Sequence, residues 1–253
     1  MEDSPAMTEI WRIAAQRTSE FDAAAVAYDT YRPRYPAGVF DDIVDLGDLS
    51  PGSTAVEIGA GTGIATAPLV DRGLAVTAVE PAPAMAAIGR AKVGDGASWV
   101  VGRFEDWTPS PVDLVVSFNA WHWVEPGAGL DKVAAVLRPG GALALVWTDV
   151  ASWGGEPFER GLTEAFGAPW PKTLDHVVGS RRHVERDERF DGCIERRHRF
   201  ERTLDADTFV EVTRTYSAGL GEEGFATIRR LIDGLGGSVT KVEEAVLFLT
   251  RRR

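Results

Sequence analysis

Between Ser53 and Leu145, short runs of β-branched and other apolar residues alternate with segments in which apolar residues recur at helical spacing. The apolar runs are TAVEIG, AVTAVE, SWVVGR, DLVVSF and ALALVW, and the helical segments between them end near glycines. Strands and helices that alternate in this way form a parallel sheet with helices on both faces. The pattern therefore predicts five successive βα units.

The segment before the first strand predicts helices followed by a turn. Residues 8–29 are interpreted as two short helices, the second of which opens at Ser19 with the spacing of a capping box. Pro33 and Pro36 restrict the residues before them to extended backbone, so the chain should leave the helical region there. We expect residues 1–36 to form an N-terminal helical lid.

After Trp147 the pattern is less regular, and the charged segment before residue 203 is interpreted as a solvated strand-and-loop face. The elements expected in this part are a helix near 157–166, helices over 205–219 and 222–235, and a final strand in EAVLFLT. The expected domain organisation is the lid, a main domain over 37–253, and cap-like insertions at about 151–190 and 203–236.

Charge and composition restrict the partners and the compartment. The 27 basic and 38 acidic residues give a net charge of -11, which repels a phosphate backbone, so nucleic acid is not an expected partner. Cys193 is the one cysteine and cannot form an internal disulfide. The first residues lack the layout of a signal peptide, and no apolar stretch is long enough to cross a bilayer. We therefore expect a cytoplasmic protein that is not embedded in a membrane.

The stretch VEIGAGTG turns from an apolar run through the glycines of Gly59–Gly63 into a helical segment. Such a turn presents backbone N–H groups and the positive end of a helix dipole to a ligand. A dinucleotide fingerprint needs glycine or alanine at its last position, where Ile64 or Thr66 stands here. Glu80 follows about 20 residues on, at the end of the next strand, where a carboxylate can accept both ribose hydroxyls. The sequence predicts a ligand with a ribose but argues against a pyrophosphate.

VEIGAGTG followed by AVEPAPAM resembles motifs I and II of the class I S-adenosylmethionine-dependent methyltransferases, and the resemblance covers residues 21–147. It implies an α/β, Rossmann-like fold: a seven-stranded, mostly parallel sheet with helices on both faces, an N-terminal helical lid and a helical insertion near the C-terminal strands. The implied cofactor is S-adenosylmethionine, and the product is S-adenosylhomocysteine. The residues that the resemblance implies for the cofactor are Glu57 at the methionine ammonium, Gly59, Ala60, Gly61, Thr62 and Gly63 around the methionine, Glu80 at the ribose, Pro81 and Met85 beside the adenine, Phe104 and Glu105 at its edge, and Asn119 at the end of the fourth strand.

The segment FDAAAVAYDTYRPRYP resembles a subgroup of small-molecule methyltransferases that includes the trans-aconitate methyltransferase type. The resemblance implies that this helix and turn close over the cofactor, with Tyr28 and Arg34 as candidate contacts. A guanidinium suits the methionine carboxylate because it binds a carboxylate in a bidentate way. The alternative is that Arg32 and Arg34 form surface ion pairs.

The acceptor is expected beyond the carboxyl ends of the strands, where DLVVSF is followed by a short stretch ending in Trp123. Methyl transfer from a sulfonium is a direct displacement, so the protein mainly aligns the reactants and, for some acceptors, removes a proton. His122 is the candidate base; alternatively it ties the strand end to the lid. The candidate walls of an apolar acceptor site are Trp121, Trp123, Trp147, Trp153 and Trp170, although tryptophans are more often core residues.

The expected function is transfer of a methyl group from S-adenosylmethionine to an O, N or C atom of a small, largely apolar or aromatic metabolite. Two alternatives stay open: a nicotinamide-dependent oxidoreductase, and a non-methylating or cyclising protein that binds S-adenosylmethionine on the same fold. No metal is expected, since Asp149 is a lone carboxylate after the fifth strand. The oligomeric state cannot be read from the sequence.

Overall fold

The computed structural model describes residues 5–170, 172, 175–216 and 220–253. The elements, in chain order, are α1 (Pro5–Tyr31), α2 (Ala37–Gly47), β1 (Thr54–Ile58), α3 (Thr66–Asp71), β2 (Ala75–Glu80), α4 (Pro83–Val93), β3 (Ala97–Val101), β4 (Val112–Phe118), α5 (Pro126–Val136), β5 (Leu137–Ser152), α6 (Glu156–Phe166), α7 (Asp175–Glu185), β6 (Ile194–Asp205), α8 (Ala206–Arg214), α9 (Gly221–Gly234) and β7 (Ser238–Arg251). In this described part of the chain, no helix is both long and apolar enough to cross a membrane.

The strands form one seven-stranded sheet in the order β3-β2-β1-β4-β5-β7-β6. β1 to β5 pair in parallel, and β7 is antiparallel to both of its neighbours. Apolar clusters cover both faces of the sheet: Leu130 and Val133 of α5 lie on one face, and Phe40 and Ile43 of α2 lie on the other. The predicted seven-stranded, mostly parallel sheet with helices is confirmed, whereas the lid and the insertion stay predictions. Parallel strands place their carboxyl ends along one edge, and that edge holds the candidate site.

Helix α1 is continuous, so the prediction of two short helices is wrong. The described stretch 18–31 contains neither proline nor glycine, and nothing interrupts its helical hydrogen bonding. Asp22 accepts a hydrogen bond from the backbone of Ala84, 2.8 Å away at the start of α4, instead of completing a cap within α1. The predicted exit from the helix is confirmed, since α2 begins directly after Pro36.

The C-terminal part contains the predicted helices α6, α8 and α9 but also α7, in a segment where the sequence analysis expects loop. α7 reads DHVVGSRRHVE, with one glycine and few apolar residues, so its helical pattern is weak. β5 and β7 are longer than predicted: β7 pairs with β5 over residues 242–251 and with β6 over residues 238–249. The side chains of α6, α8 and α9 share a separate small core, which we call the cap. Its boundary with the main domain stays a prediction.

Candidate functional site

A cavity of about 1080 Å³, open mouth included, lies beyond the carboxyl ends of β1, β2 and β4. A smaller space of about 410 Å³ adjoins it, and we call the two the main cavity and the side pocket. They share walls at Tyr28, Gly59, Gly61, Phe118 and Asn119, so the two spaces lie side by side. Its size is that of a small-molecule site.

Most of the predicted cofactor residues line one of these spaces. Those on the main cavity are Tyr28, Gly59, Gly61, Glu80, Pro81, Met85, Phe104, Glu105 and Asn119. Those found only on the side pocket are Glu57, Ala60 and Thr62. Gly63 and Arg34 line neither space. A Cβ on Gly63 would stand 3.1 Å from the Cα of Gly89, so this glycine allows close contact with α4.

The glycine loop has a backbone that few other residues could adopt. Gly59, Gly61 and Gly63 have φ of +68°, +57° and +74°, in the left-handed region that glycine enters without strain. A Cβ on Gly59 would also stand 2.4 Å from the Cβ of Ala120. The loop therefore brings its backbone close to the end of β4 and lets a ligand approach the loop directly.

The carboxylate of Glu80 is held in place by backbone donors. Oε2 accepts from the N–H of Gly61 at 2.8 Å, and Oε1 accepts from the N–H of Ala82 at 2.9 Å. Burial raises the pKa of Glu80 above its usual value, although these two hydrogen bonds oppose the shift. Each carboxylate oxygen keeps a second lone pair. Glu80 is thus a pre-oriented acceptor on the wall of the main cavity.

Glu57 is buried even more deeply, with 1% of its surface exposed. Its Oε2 accepts a 2.6 Å hydrogen bond from the hydroxyl of Thr66. Burial raises the pKa of Glu57 to about 8, and the negative charge of Glu80 adds to the increase. A buried acid on a pocket wall is suited to bind a cationic group, which would offset the cost of its ionisation.

The structure corrects the assignment of Arg34. Its side chain is 54% exposed, donates to the backbone oxygen of Asp29 at 2.9 Å and lies 3.5 Å from the Asp29 carboxylate. This is the surface ion pair that the sequence analysis gave as the alternative. Arg32, two residues earlier, lines the side pocket instead. Arg32 donates to Thr215 whereas Arg34 pairs with Asp29, a difference that their spacing alone could not show.

Asp29 joins α1 to the glycine loop and to α4. It accepts a 2.8 Å hydrogen bond from the hydroxyl of Thr62 and forms an ion pair with Lys92. Lys92 also donates to the backbone oxygen of Thr62 at 2.8 Å. The hydroxyl proton of Thr62 is therefore taken by Asp29, so this side chain is not a hydrogen-bond donor to a ligand.

Sequence analysis missed Tyr35, which lies at the end of β4 beside Asn119. Asn119 has φ of +51°, accepts from the N–H of Thr148 at 2.9 Å, and donates through Nδ2 to the Tyr35 hydroxyl at 2.8 Å. Since the Tyr35 oxygen accepts this hydrogen bond, its own proton is available to another acceptor. Burial raises the pKa of Tyr35 well above its usual value, so the hydroxyl stays protonated.

The aromatic residues divide between the cavity and the core. Trp123 lines the main cavity and makes an edge contact with Phe21, with ring centroids 6.1 Å apart. Trp121 and Trp147 are buried in the core beneath the sheet instead, which corrects their assignment to the acceptor wall. The side chains of Trp121 and Trp147 pack toward α5 and β7, because not every side chain near the end of a strand points into the site.

Trp153 also lies away from both spaces. It packs on Trp170 within the cap, with ring centroids 5.2 Å apart. His122 does not line the main cavity or the side pocket, and its ring lies 4.6 Å from that of Trp123. The structure therefore does not bring the predicted base to the site. In the described part of the chain, no group of three or more His, Cys, Asp or Glu residues could hold a metal ion.

Comparison with known proteins agrees with this geometry. A family model described as a methyltransferase domain matches residues 56–145. Uncharacterized methyltransferases of Mycobacterium tuberculosis are 40% identical over 129 residues, which are 50% of this chain and 51% of each relative. The chain thus matches about half the length of these curated relatives. An uncharacterized methyltransferase of Geobacillus sp. is 31% identical over 57% of this chain and 69% of its own length.

Solved structures share the fold. A proposed type II methyltransferase from Anaeromyxobacter dehalogenans superposes with a TM-score of 0.61 at 21% identity, over 87% of this chain and 98% of that one. A Haemonchus contortus phosphoethanolamine N-methyltransferase, in complex with phosphomonomethylethanolamine and S-adenosylhomocysteine, gives 0.54 at 16% identity, over 96% of this chain and 60% of that one. None of these names specifies the trans-aconitate type, so that subgroup stays a prediction. The chain belongs to the class I S-adenosylmethionine-dependent methyltransferase family.

Proposed function

We propose that this chain binds S-adenosylmethionine and transfers its methyl group to a small molecule. The observation that carries the proposal is the pair of buried acids, Glu57 on the side pocket and Glu80 on the main cavity, with a glycine loop that lines both spaces. An ammonium and a ribose are the groups that these acids would bind. A nicotinamide cofactor is not favoured, because the third position of its fingerprint lacks the small residue that it requires.

In this proposal the side pocket would hold the methionine end of the cofactor, and the main cavity would hold its ribose and adenine. Glu57 and Arg32 on the side pocket would hold the methionine ammonium and carboxylate, so Arg32 takes the role that the sequence assigned to Arg34. Glu80 would accept the ribose hydroxyls, and Met85 and Phe104 on the main cavity would flank the adenine. This arrangement places the sulfonium near Gly59 and Asn119, where the two spaces meet.

The acceptor would approach that junction from the main cavity. Phe21 and Trp123 give its outer part an aromatic wall, which supports a small, largely apolar or aromatic acceptor. Tyr35 lies on the side pocket and keeps a hydroxyl proton that can be donated to a polar atom of the bound molecules. Catalysis would then come from alignment and exclusion of water, with no base required for an acceptor that arrives ionised.

Calorimetry with S-adenosylmethionine, S-adenosylhomocysteine and NADH tests the cofactor. Glu80→Gln should weaken binding of the first two by about 10- to 100-fold, the range for loss of hydrogen bonds to a charged group. Glu201→Gln, at an exposed position of β6, is the matched control. Equal affinity in Glu80→Gln and the parent would refute the ribose assignment. Release of S-adenosylhomocysteine in the presence of candidate acceptors, followed by mass spectrometry, tests methyl transfer and separates it from binding alone.

A further inference from the structure

The guanidinium of Arg32 is held by a segment 183 residues later in the chain. Its Nε donates to the hydroxyl of Thr215 at 2.8 Å, and its Nη2 donates to the backbone oxygen of Thr215 at 2.7 Å. The guanidinium carbon also lies 3.5 Å from the ring centroid of Tyr216. Both partners follow directly after α8, so the cap reaches across to the side pocket.

The hydrogen bonds of Thr215 show that its hydroxyl oxygen accepts from Arg32. The Thr215 hydroxyl donates its proton to the backbone oxygen of Val212 at 2.6 Å, which leaves its lone pairs for Arg32. Thr215 is buried, and its backbone continues the end of α8. Arg32 therefore meets two fixed acceptors rather than mobile side chains, and the plane of its guanidinium is set before any ligand binds.

The Tyr216 ring also lies near a buried lysine of β7. The Nζ of Lys241 lies 5.3 Å from the Tyr216 centroid and 4.5 Å from that of Trp153. Lys241 is buried and forms a 2.7 Å ion pair with Glu243, to which Arg202 also donates at 2.9 Å. This network anchors the aromatic platform on which Arg32 rests.

The guanidinium of Arg32 keeps N–H donors that could bind an anion. Among the ion pairs of the described residues, none joins Arg32 to a carboxylate, and its two hydrogen bonds go to neutral oxygens. Arg32 lines the side pocket and keeps other N–H groups beyond these two donors, and Glu57 on the same pocket would bind the neighbouring ammonium. A guanidinium with remaining donors in a partly buried pocket is suited to bind a carboxylate.

We propose that Thr215 and Tyr216 are positioning residues that preset Arg32 for the methionine carboxylate, so that the cap contributes directly to cofactor affinity. This inference rests on the proposed function. It assigns to the cap, which in the chain lies far from the glycine loop, a part in recognising the methionine end of the cofactor.

The test compares two cofactors that differ only in the carboxylate: S-adenosylmethionine and decarboxylated S-adenosylmethionine. Tyr216→Ala should weaken binding of the first by about tenfold and of the second by less than about twofold, since only the first meets Arg32. Thr215→Val, which keeps the shape but loses the acceptor for Nε, should show the same selective loss. Tyr216→Phe should restore most of the affinity lost in Tyr216→Ala, because the ring remains.

Leu235→Ala removes another exposed apolar side chain of the cap and is the matched control. If Tyr216→Ala weakens both cofactors equally, the cap acts only through folding and the proposal is overturned. It is also overturned if neither affinity changes while the parent binds S-adenosylmethionine. A parent that binds neither cofactor would overturn the proposed function itself, so the two failures are distinguishable.

Discussion

Binding of S-adenosylmethionine should expel a proton from Glu57. In the unliganded chain this carboxyl is buried, bonded to the hydroxyl of Thr66 and close to the charge of Glu80, and its pKa is raised to about 8. An ammonium placed beside it would favour the ionised form and lower that pKa again. The proton that Glu57 holds at neutral pH would then leave with binding.

The number of protons released on binding follows from the raised pKa of Glu57. With a pKa of about 8, about nine-tenths of the chains hold the proton on Glu57 at pH 7, so binding should release about 0.9 proton per cofactor. Affinity should increase with pH below 8, because fewer chains must first lose the proton. Between pH 6 and pH 7 the dissociation constant should fall about ninefold, while the cofactor amine stays mostly an ammonium.

Calorimetry in two buffers of different ionisation enthalpy at pH 7 measures this release directly. Glu57→Gln, which keeps an acceptor for Thr66, should release almost no proton and lose the pH dependence. The ligand control is 5′-methylthioadenosine, which lacks the ammonium and should release no proton from the parent chain. A parent that releases less than about 0.3 proton, or as much as Glu57→Gln does, would refute the reasoning.

Arg32→Ala should weaken S-adenosylmethionine binding about tenfold or more, whereas Arg34→Ala should change it less than about twofold, because Arg34 pairs with Asp29 at the surface. Calorimetry on the two variants decides, and equal losses would restore Arg34 to the site. His122→Asn should leave kcat within about threefold of the parent, since His122 lines neither space; a loss of about 100-fold that narrows at acidic pH, where a histidine base is protonated in the parent, would identify it as a base. Amide hydrogen exchange over residues 21–36 should slow when cofactor saturates the chain, and unchanged exchange would contradict a lid.

The elements that could be predicted from the sequence are those with strong local signals. The apolar runs predict β1 to β5, and the glycines of Gly59–Gly63 predict a turn and ligand loop directly after β1. Glu57 and Glu80 stand at fixed distances from that loop and could be proposed as ligands, because parallel strands bring their carboxyl ends together. α7 could not be predicted, because its charged sequence has no clear helical stripe.

The site residues that the sequence missed depend on contacts between distant segments. Arg32 and Arg34 stand in the same proline-rich turn, and only the partner at Thr215 shows which of them faces the pocket. Tyr35 is defined as a donor only by Asn119, whose amide is oriented in turn by Thr148. The sequence pattern gives no information about contacts between distant residues unless the positions of both residues in the fold are known.

The buried carboxyl of Glu57 should lower the free energy of unfolding of the chain when no cofactor is bound. Glu57 has a folded-state pKa of about 8, above its usual value of 4.5, so the folded chain binds more protons than the unfolded chain between these pH values. By linkage, the contribution of Glu57 to the free energy of unfolding falls as the pH rises through that window, and above it the full cost of a buried charge remains. The ammonium would remove this cost by pairing with the carboxylate. The same burial that destabilises the unliganded chain is therefore what makes Glu57 selective for a cofactor with a positive charge.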